Sequence, residues 1–356
     1  MNNTISVTID ASVLAVPEPS GSSDESIKDE AFKYVETILH WAKLMEEPWA
    51  AVFMSEEASA SLFEDNMYPL RDQLQTLFSS QGIVEYDVNT VAKVIDQLLQ
   101  TTPSFESFFA IRDVLFEDLS VQPDIRPKFS GLNLNSELDR CIVLIAILRE
   151  KCPERRPEHS LILRKAPNET IRVKTLVHEM EHHIENLQPL PTPPDYFEGN
   201  ALVCDDFWRY VRFVNEVTYF LNPEISTDDV QTAMRIGVYK SRLQQGVEPE
   251  WDDIPNYKIG QKFINSLRRI PMAEQLASKV IRAMIETLEQ INMGATHALR
   301  NNATGNSPQK IREHDGAKAW RRDIDRDCHL HYWLSDNGLV EFAWISYPHN
   351  DFCIPE

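Results

Sequence analysis

The segments Cys328–Leu334 (CHLHYWL) and Leu339–Ser346 (LVEFAWIS), joined by Ser335–Gly338 (SDNG), decide the fold of the C-terminal part of the chain. Both segments are rich in the aromatic and β-branched residues that strands favour. Asn337 and Gly338 between them tolerate the positive φ angles of a two-residue hairpin turn. The pattern therefore predicts an antiparallel β-hairpin close to the C-terminus.

The sequence before this hairpin predicts one strand and two helices. Tyr257–Gly260 (YKIG) is a short strand-like run, and a helix opens near Phe263. Pro271 ends that helix, since proline lacks the backbone N–H that a helix interior needs. A second, amphipathic helix is predicted over Glu274–Ile291, and a further strand around Trp320. We therefore expect residues 254–356 to form an α+β domain.

The order strand, two helices and β-meander resembles the layout of the RelE/ParE family of toxins. Members of that family carry a positioned Lys and an Arg after the second helix, then an Arg-x-x-Tyr strand, then a His-Arg-x-x-Tyr terminus. The matching stretches here are Lys318-x-Trp320-Arg321, His329-Leu330-His331-Tyr332 and His349-Asn350-Asp351-Phe352. The resemblance covers about a hundred residues, little more than a quarter of the chain.

The resemblance implies a ribosome-dependent endoribonuclease that cleaves mRNA by acid/base chemistry without a cofactor. The residues that it implies for catalysis are Lys318, Arg321, His329, His331 and His349, with Lys310, Arg312 and Arg322 as RNA contacts. Arg suits a phosphate because its planar fork donates two charge-assisted hydrogen bonds. His suits proton transfer near neutral pH. Strand alternation sends His329, His331 and Trp333 to one face of the sheet.

Two departures from the family pattern leave alternatives open. His329 stands where the family has Arg, and Phe352 stands where a catalytic Tyr is often found. Some ribosome-dependent members use a His with a neighbouring carboxylate, so His349 can supply the proton. The alternatives are an RelE-like domain without activity, and within the family a ParE-like gyrase poison.

Charge is distributed unevenly along the chain. The net charge is −20, yet residues 254–356 carry 13 Lys and Arg against 12 Asp and Glu. Nucleic-acid binders are normally basic, because Lys and Arg displace counterions from phosphate. The C-terminal part can therefore approach RNA, whereas the rest of the chain repels it. The acidic remainder is either a solubilising surface or a surface that docks a basic protein or shields the toxin.

Residues 1–190 alternate strand-like and helix-like segments, which predicts an α/β domain with a largely parallel, Rossmann-like sheet. Strands are expected at Ile5–Ile9 and Ala50–Met54 and in His159–Arg164. The helix Glu137–Lys151 is apolar nearly all round and is therefore expected to be central.

The first strand and the residue that follows it, Asp10, resemble the start of PIN-like nuclease domains, whose Asp binds a divalent metal. Glu56, Glu64 and either Glu137 or Asp139 fit further acidic positions, but the late strand is followed by Arg164 in place of an acid. Too few carboxylates make a poor Mg²⁺ site. We therefore expect this domain to regulate; a PIN-type metal-dependent nuclease remains the alternative.

The layout of a Rossmann-like domain before an RelE-like domain is also similar to CARF-RelE effectors of CRISPR antiviral defence. That similarity implies a homodimer whose first domain senses cyclic oligoadenylate as an activating ligand. It rests on architecture alone.

His178–His182 (HEMEH) matches the HExxH pattern of zinc metalloproteases, in which two His one helical turn apart bind the metal. Glu181 is charged where such enzymes have uncharged residues, and no third ligand follows at a recognisable spacing. His178 and His182 are therefore either weak metal candidates or part of a solvated helix end.

The prolines at 189, 191, 193 and 194 mark a boundary, after which residues 191–253 are expected to form a helical connector. Its helices are predicted over Phe207–Leu221, an aromatic segment, and Thr227–Gln244. The start of the sequence has no signal-peptide pattern, and the longest apolar run, Cys141–Leu148, is too short to span a bilayer. Five scattered cysteines fit a reducing compartment. We therefore expect a cytoplasmic protein with no membrane contact. Its partners, as the resemblance to RelE/ParE toxins implies, are mRNA and the ribosome.

Overall fold

The computed structural model describes residues 5–17, 24–47, 50–124, 126, 131–151, 159–164, 169–184, 195–205, 207–212, 214–247, 249–302, 307–348 and 353–355. The chain divides into two compact units, residues 1–213 and residues 214–356. Both units combine helices with a mixed β-sheet. No helix within these described ranges has the length and apolar character needed to cross a membrane.

The described part of the first unit has six strands, and most of its helices lie between the second and the third of them. The strands are β1 (Ile5–Ile9), β2 (Ala50–Met54), β3 (Ile111–Gln122), β4 (Ser160–Ile162), β5 (Glu169–His182) and β6 (Asp195–Cys204). The helices are α1 (Asp24–Met45), α2 (Ala58–Glu64), α3 (Arg71–Gln81), α4 (Val88–Thr101), α5 (Phe105–Phe109), α6 (Leu132–Lys151) and α7 (Phe207–Val211). The predicted strands β1, β2 and β4 are confirmed.

The sheet of the first unit has the order β2-β1-β4-β6-β5-β3. The first four strands are parallel, whereas β5 pairs antiparallel with both β6 and β3. The sheet is therefore mixed, where the sequence had predicted a largely parallel one. The difference arises because the sequence analysis placed no strand at β3 or over the full length of β5, the two strands that pair antiparallel.

Helix α6 lies in the centre of the first unit, as its sequence predicts. Every side chain from Cys141 to Leu148 is buried, and these residues form the middle of the apolar core. The helix begins at Leu132, five residues before its predicted start at Glu137. Asp65 accounts for this early start, because its carboxylate accepts hydrogen bonds from the backbone N–H groups of Asn133 and Leu134.

Three predictions in residues 170–253 need correction. The HEMEH segment lies in strand β5 and is not part of a helix. Strand β6 falls within the predicted helical connector and belongs to the first sheet. The aromatic segment Phe207–Leu221 forms two short helices, α7 and α8 (Val217–Phe220), instead of one. The prolines at 189–194 lie outside the described residues.

Five strands and four α-helices lie in the residues of the second unit that the structure describes. The strands are β7 (Tyr257–Ile259), β8 (Thr296–Ala298), β9 (Lys318–Asp323), β10 (His329–Leu334) and β11 (Val340–Ser346). The helices are α8, α9 (Thr227–Gln244), α10 (Gln261–Arg269) and α11 (Glu274–Leu288). The predicted hairpin is confirmed, and α9 begins and ends at the predicted residues. A capping box between Ser226 and Asp229 accounts for the sharp start of α9.

The sheet of the second unit has the order β7-β11-β10-β9-β8. Strands β8 to β11 form an antiparallel meander, and β7 pairs with β11 in parallel. Helices α10 and α11 pack on one face, where Phe263 contacts Phe342 and Glu286 pairs with Arg322. The opposite face carries the polar residues described next.

Candidate functional site

One face of the second unit's sheet gathers histidine and arginine side chains from three strands. His297 in β8 lies opposite Arg321 in β9, which lies opposite His331 in β10. Two residues further along the same two strands, Asp323 in β9 lies opposite His329 in β10. Directly opposed residues, and residues two apart in one strand, share a face of the sheet. The register therefore brings all five side chains to the same side.

Asp323 is the centre of this group. Its Oδ2 atom is 3.3 Å from His297 Nε2, and its Oδ1 atom is 3.5 Å from His329 Nε2 and 3.8 Å from Arg321 Nε. The Oδ1 atom is buried and accepts no hydrogen bond, because these contacts are longer than a good hydrogen bond. Catalytic hydrogen bonds are often long without substrate and shorten when it binds. One carboxylate thus faces two imidazoles and a guanidinium.

Solvent reaches this group unequally. The side chains of His297 and Asp323 are 47% and 39% exposed, and that of Arg321 is 24% exposed, whereas His329 is only 8% exposed. A ligand can therefore meet His297 and Arg321 directly. His329 lies deeper, where Asp323 limits its orientation.

His331 does not join this group as a reactive residue, which corrects its predicted catalytic role. It is fully buried, and its Nδ1 atom lies 2.8 Å from the carbonyl oxygen of Cys353. Trp333 on the same face donates from Nε1 to the carbonyl oxygen of Pro355 at 2.9 Å. The segment Cys353–Pro355 therefore covers this end of the face, and Trp333 is not available to stack on RNA bases.

The other predicted residues are not gathered at Asp323. Lys318 lies on the opposite face of β9 from Arg321, and it contacts Asp336 at 3.4 Å. Lys310 is half-buried, and its carbonyl oxygen accepts a hydrogen bond from Ala319 in β9. Lys310 therefore stays a prediction as an RNA contact. His349 and Phe352 lie outside the described residues.

Arg312 and Arg322 are buried ion-pair partners, which corrects their predicted role as phosphate contacts. Arg312 binds Asp315 through two nitrogen atoms, contacts Glu341 at 3.0 Å and lies over the ring of Trp333. Arg322 is 1% exposed. It donates to Glu286 at 2.6 Å and to the carbonyl oxygens of Ile291 and Asn292. A guanidinium whose donors are used inside the protein has none left for RNA.

Neither His297 nor Asp323 was predicted from the sequence. No motif marks either residue, and β8, which carries His297, is only three residues long. The one available signal was the acidic residue two positions after Arg321 in a predicted strand, since that spacing puts both side chains on one face.

A second polar group lies at the carboxyl ends of β1 and β2 in the first unit. Asp10 directly follows β1, and Ser55 directly follows β2. Glu137 from α6 and Glu106 from α5 approach them, and all four side chains are buried. The pKa of Asp10 is raised to about 6, chiefly by burial and also by the nearby charge of Glu137, although hydrogen bonds from Ser12 act to lower it.

These residues do not fit the divalent metal that a PIN-like nuclease would hold. Arg140 already lies among the carboxylates, 2.8 Å from Glu137 and 2.5 Å from Glu106. Asp139 pairs with Arg126, and Glu56 and Glu64 are exposed residues, whereas Asp10 is buried. Within the described ranges, no three His, Cys, Asp or Glu side chains are grouped so as to hold a metal ion.

The HExxH histidines are also unsuited to a shared zinc ion. Four residues along a strand span about 13 Å, at about 3.3 Å per residue, so His178 and His182 cannot meet at one tetrahedral ion. His178 instead contacts Glu117 of the neighbouring strand at 3.3 Å. The predicted helix end and the zinc site are both wrong for this segment.

No protein-family profile, curated protein sequence or solved structure matches this chain significantly.

Proposed function

We propose that residues 254–356 cleave mRNA on the ribosome, as an RelE-like toxin would. The observation that supports this most directly is the Asp323 group, in which one carboxylate faces His297, His329 and Arg321. The second unit also has the order of elements on which the resemblance rests, namely the strand β7, the helices α10 and α11, and the meander β8 to β11. His329 stands where the RelE/ParE family has Arg. Because His329 lies beside the carboxylate of Asp323, it resembles the members of that family that use a His with a neighbouring carboxylate.

The proposed reaction is attack of a ribose 2′-oxygen on the neighbouring phosphorus. A neutral imidazole takes the proton from the 2′-hydroxyl, the new bond forms to phosphorus, and the bond to the 5′-oxygen breaks. A protonated imidazole gives its proton to that leaving oxygen, so the products are a 2′,3′-cyclic phosphate and a free 5′-hydroxyl. His297 and His329 supply the two imidazoles. Arg321 binds the phosphate and offsets the charge that develops on it.

Asp323 orients both imidazoles in this proposal. A carboxylate that accepts a hydrogen bond from one ring nitrogen fixes the tautomer and leaves the other nitrogen for the substrate. Because Asp323 lies between His297 and His329, its loss disturbs both proton-transfer groups at once. The ribosome is part of the proposal because a domain with a net charge of +1 lacks the field to hold free RNA.

The test measures cleavage of mRNA on purified ribosomes, with free mRNA as the comparison substrate. We expect His297→Gln and His329→Gln each to lower kcat/KM by roughly 10²-fold or more, the usual range for loss of an acid or base. Arg321→Ala and Asp323→Asn should show losses of similar size. His314→Gln is the matched control, because His314 is an exposed histidine of the same unit, away from Asp323.

Three results would contradict the proposal. Arg321→Ala and His329→Gln variants as active and as growth-arresting as the unchanged protein would refute the site. A block in DNA supercoiling with intact translation would favour the gyrase poison instead. Absence of cleavage under every condition would favour an interaction protein.

A further inference from the structure

A small cavity lies in the first unit, between α1 and the sheet. Its volume is about 140 Å³. Its apolar lining consists of the side chains of Val7, Ile9, Val13, Leu44 and Ile162. An engineered cavity of about 150 Å³ with apolar walls holds one benzene ring. The cavity in this protein therefore has room for a single ring.

The cavity lies at the carboxyl ends of β1 and β4. Ile9 and Ile162 are the last residues of these two parallel strands, and they pair with each other. From β1 the chain continues to β2 on one side, and from β4 it continues through β5 to β6 on the other side. The boundary between β1 and β4 is thus the point where the strand order reverses. Open α/β sheets bind their ligands at this point.

A buried carboxylate borders the cavity. Asp205 directly follows β6, and its side chain is only 8% exposed. A carboxylate that is taken out of water needs a cation close by. Lys33 of α1 lies 3.4 Å from Asp205 Oδ2 through its Nζ atom, which is longer than the roughly 2.7–2.9 Å of a strong charge-assisted hydrogen bond. Because the Lys33 side chain is 59% exposed, this pair contributes little, and the ammonium group of a ligand can take the place of Lys33.

The charged groups around the cavity favour a cation over an anion. Glu36 of α1 also lines the cavity and is exposed. Arg164 lines a smaller cavity of about 40 Å³ that shares Lys33 and Asp205, but Arg164 pairs with Glu30 at 3.5 Å. Two carboxylates, Glu36 and Asp205, therefore stand against the one ammonium group of Lys33. An anionic ligand would meet repulsion here, whereas a cation would be attracted.

The indole of Trp41 borders the same cavity and carries a donor without an acceptor. Trp41 is 3% exposed, and its Nε1 atom has no hydrogen-bond partner among the residues that the structure describes. Buried donors nearly always have an acceptor, so an unused donor beside a cavity is a feature of a ligand site. The face of an indole ring also attracts cations. Trp41 thus suits a ligand that joins an aromatic ring to a positive charge.

We infer that this cavity binds a small aromatic amine, with the ring among the apolar side chains and the ammonium group at Asp205 in place of Lys33. Asp205 selects the charge of the ligand, and the cavity limits its size to about one ring. The site lies within the first unit, so the binding of an amine can be measured without any nuclease activity.

Titration calorimetry of the full chain with benzylamine tests this site at pH 8, where histidine is neutral. Benzyl alcohol has the same ring without the charge, and benzoate has the opposite charge. We expect benzylamine to bind once per chain with a Kd of roughly 1 mM or lower, as suits a ligand of this size. Benzyl alcohol should bind at least about tenfold more weakly, because it lacks the charge-assisted hydrogen bond to Asp205. Benzoate should not bind.

Two substitutions at the ion pair should act in opposite directions. Asp205→Asn should weaken benzylamine binding at least about tenfold and leave benzyl alcohol unchanged. Lys33→Ala should strengthen benzylamine binding by about three- to fivefold, since the ligand no longer displaces an exposed ion pair. Lys43→Ala is the matched control and should change neither affinity, because Lys43 is an exposed lysine of the same helix and is not among the residues that line the cavity.

Trp41→Phe locates the bound amine. Benzylamine should change the tryptophan fluorescence of the unchanged protein. That change should be largely absent in Trp41→Phe, although calorimetry still shows binding, because Phe keeps an aromatic wall. A fluorescence change that persists in Trp41→Phe would place the ligand elsewhere and overturn the site.

Three further results would overturn the inference. They are the lack of saturable benzylamine binding, equal affinities for benzylamine and benzyl alcohol, and weaker benzylamine binding by Lys33→Ala. Circular dichroism shows whether each variant is folded. If Asp205→Asn does not fold, Lys33→Ala and the comparison of the three ligands still decide the question.

Discussion

Single residues in this protein take their roles from burial as much as from type. Arg321 and Arg322 are neighbours in sequence, yet Arg321 faces the Asp323 group and Arg322 is enclosed under α11. The alternation of a strand puts them on opposite faces of the sheet. Two identical side chains therefore have different uses, one available to a ligand and one that stabilises the fold.

Arg322 should be required for stability. Substitution by Met removes one partner of a buried ion pair and leaves Glu286 and two carbonyl groups without their donor. Loss of one partner from such a pair costs about 3–5 kcal/mol, which here is reduced because Glu286 is partly exposed. We expect the free energy of unfolding, measured by urea titration, to fall by about 3 kcal/mol. Arg326→Met, at an exposed position of the same unit, should change it by less than about 0.5 kcal/mol.

The buried carboxyl of Asp10 should make stability depend on pH. The pKa of Asp10 is about 6 in the folded chain, whereas the ordinary pKa of an Asp side chain is 3.8. The folded state therefore holds the proton more tightly than the unfolded state. Stability from this group is therefore fully present below about pH 4 and is lost as the pH rises through about 6. The difference corresponds to about 3 kcal/mol.

Asp10→Asn tests this dependence, because Asn keeps the shape and can still accept the hydrogen bond from Ser12. The variant should be more stable than the unchanged protein at pH 7 and about equally stable at pH 4, when unfolding is followed by urea titration at each pH. A difference between the two proteins that does not vary with pH would exclude a raised pKa at Asp10.

At the scale of the elements, the end of β7 depends on a close backbone approach. Gly260 donates from its backbone N–H to the carbonyl oxygen of Phe342 at 2.7 Å. It is also the N-cap residue of α10. A Cβ atom at this position would lie 2.9 Å from that oxygen. The φ angle of Gly260 is −64°, so the lack of space, and not the backbone conformation, requires glycine here.

Gly260→Ala should therefore push β7 away from β11. We expect a loss of about 1–3 kcal/mol in the free energy of unfolding, the usual cost of forcing an extra carbon into a packed site. Gly294→Ala is the matched control, since no atom lies within 4 Å of the added Cβ and the φ angle is not positive. That variant should be neutral or stabilised by up to about 1 kcal/mol. Equal effects of the two substitutions would show that the contact with Phe342 is not limiting.

The hairpin β10–β11 is central to the proposed function, because β10 contains His329. Its register with β9 brings His329 opposite Asp323, and a bulge between His331 and Tyr332 interrupts the pairing with β11. His331 and Trp333 then hold the segment Cys353–Pro355. One strand thus both places His329 beside Asp323 and binds the segment Cys353–Pro355.

At the scale of the whole molecule, the charge difference motivates a proposal on control. Residues 1–253 carry the acidic excess, while residues 254–356 are close to neutral. A nuclease active without restraint would stop the growth of its own cell. We propose that the protein is a homodimer with low basal activity and that a small anionic ligand such as a cyclic oligoadenylate raises this activity.

Translation assays on the purified protein, with and without cyclic oligoadenylates, test this control. We expect little inhibition of translation without the ligand and at least about tenfold more with it, which corresponds to a coupling free energy of about 1.4 kcal/mol. The size of the particle in solution should be that of two chains. Full activity without ligand, or a monomer that responds to ligand, would each be evidence against this form of control.

The sequence by itself determined the elements whose signals are local. Helix α9 begins at a Ser-x-x-Asp capping box, the hairpin turns at Asn337-Gly338, and α6 is central because it is apolar on all sides. Each of these patterns acts within a few residues of chain, so neighbours in sequence were sufficient to predict it. Arg321 and His329, in contrast, were expected at the site only because of the resemblance to RelE/ParE toxins.

Only the tertiary structure decided which of these residues meet. Asp323 and His297 are 26 residues apart, and their contact depends on the pairing of β8 with β9. Strand pairing also put HEMEH into β5, where Glu179–His182 pair with the neighbouring strand β3. Burial likewise turned Arg140, Arg312 and Arg322 into internal counter-ions. The physical reason is common to all three: register and desolvation join residues far apart in the chain, and no local pattern records them.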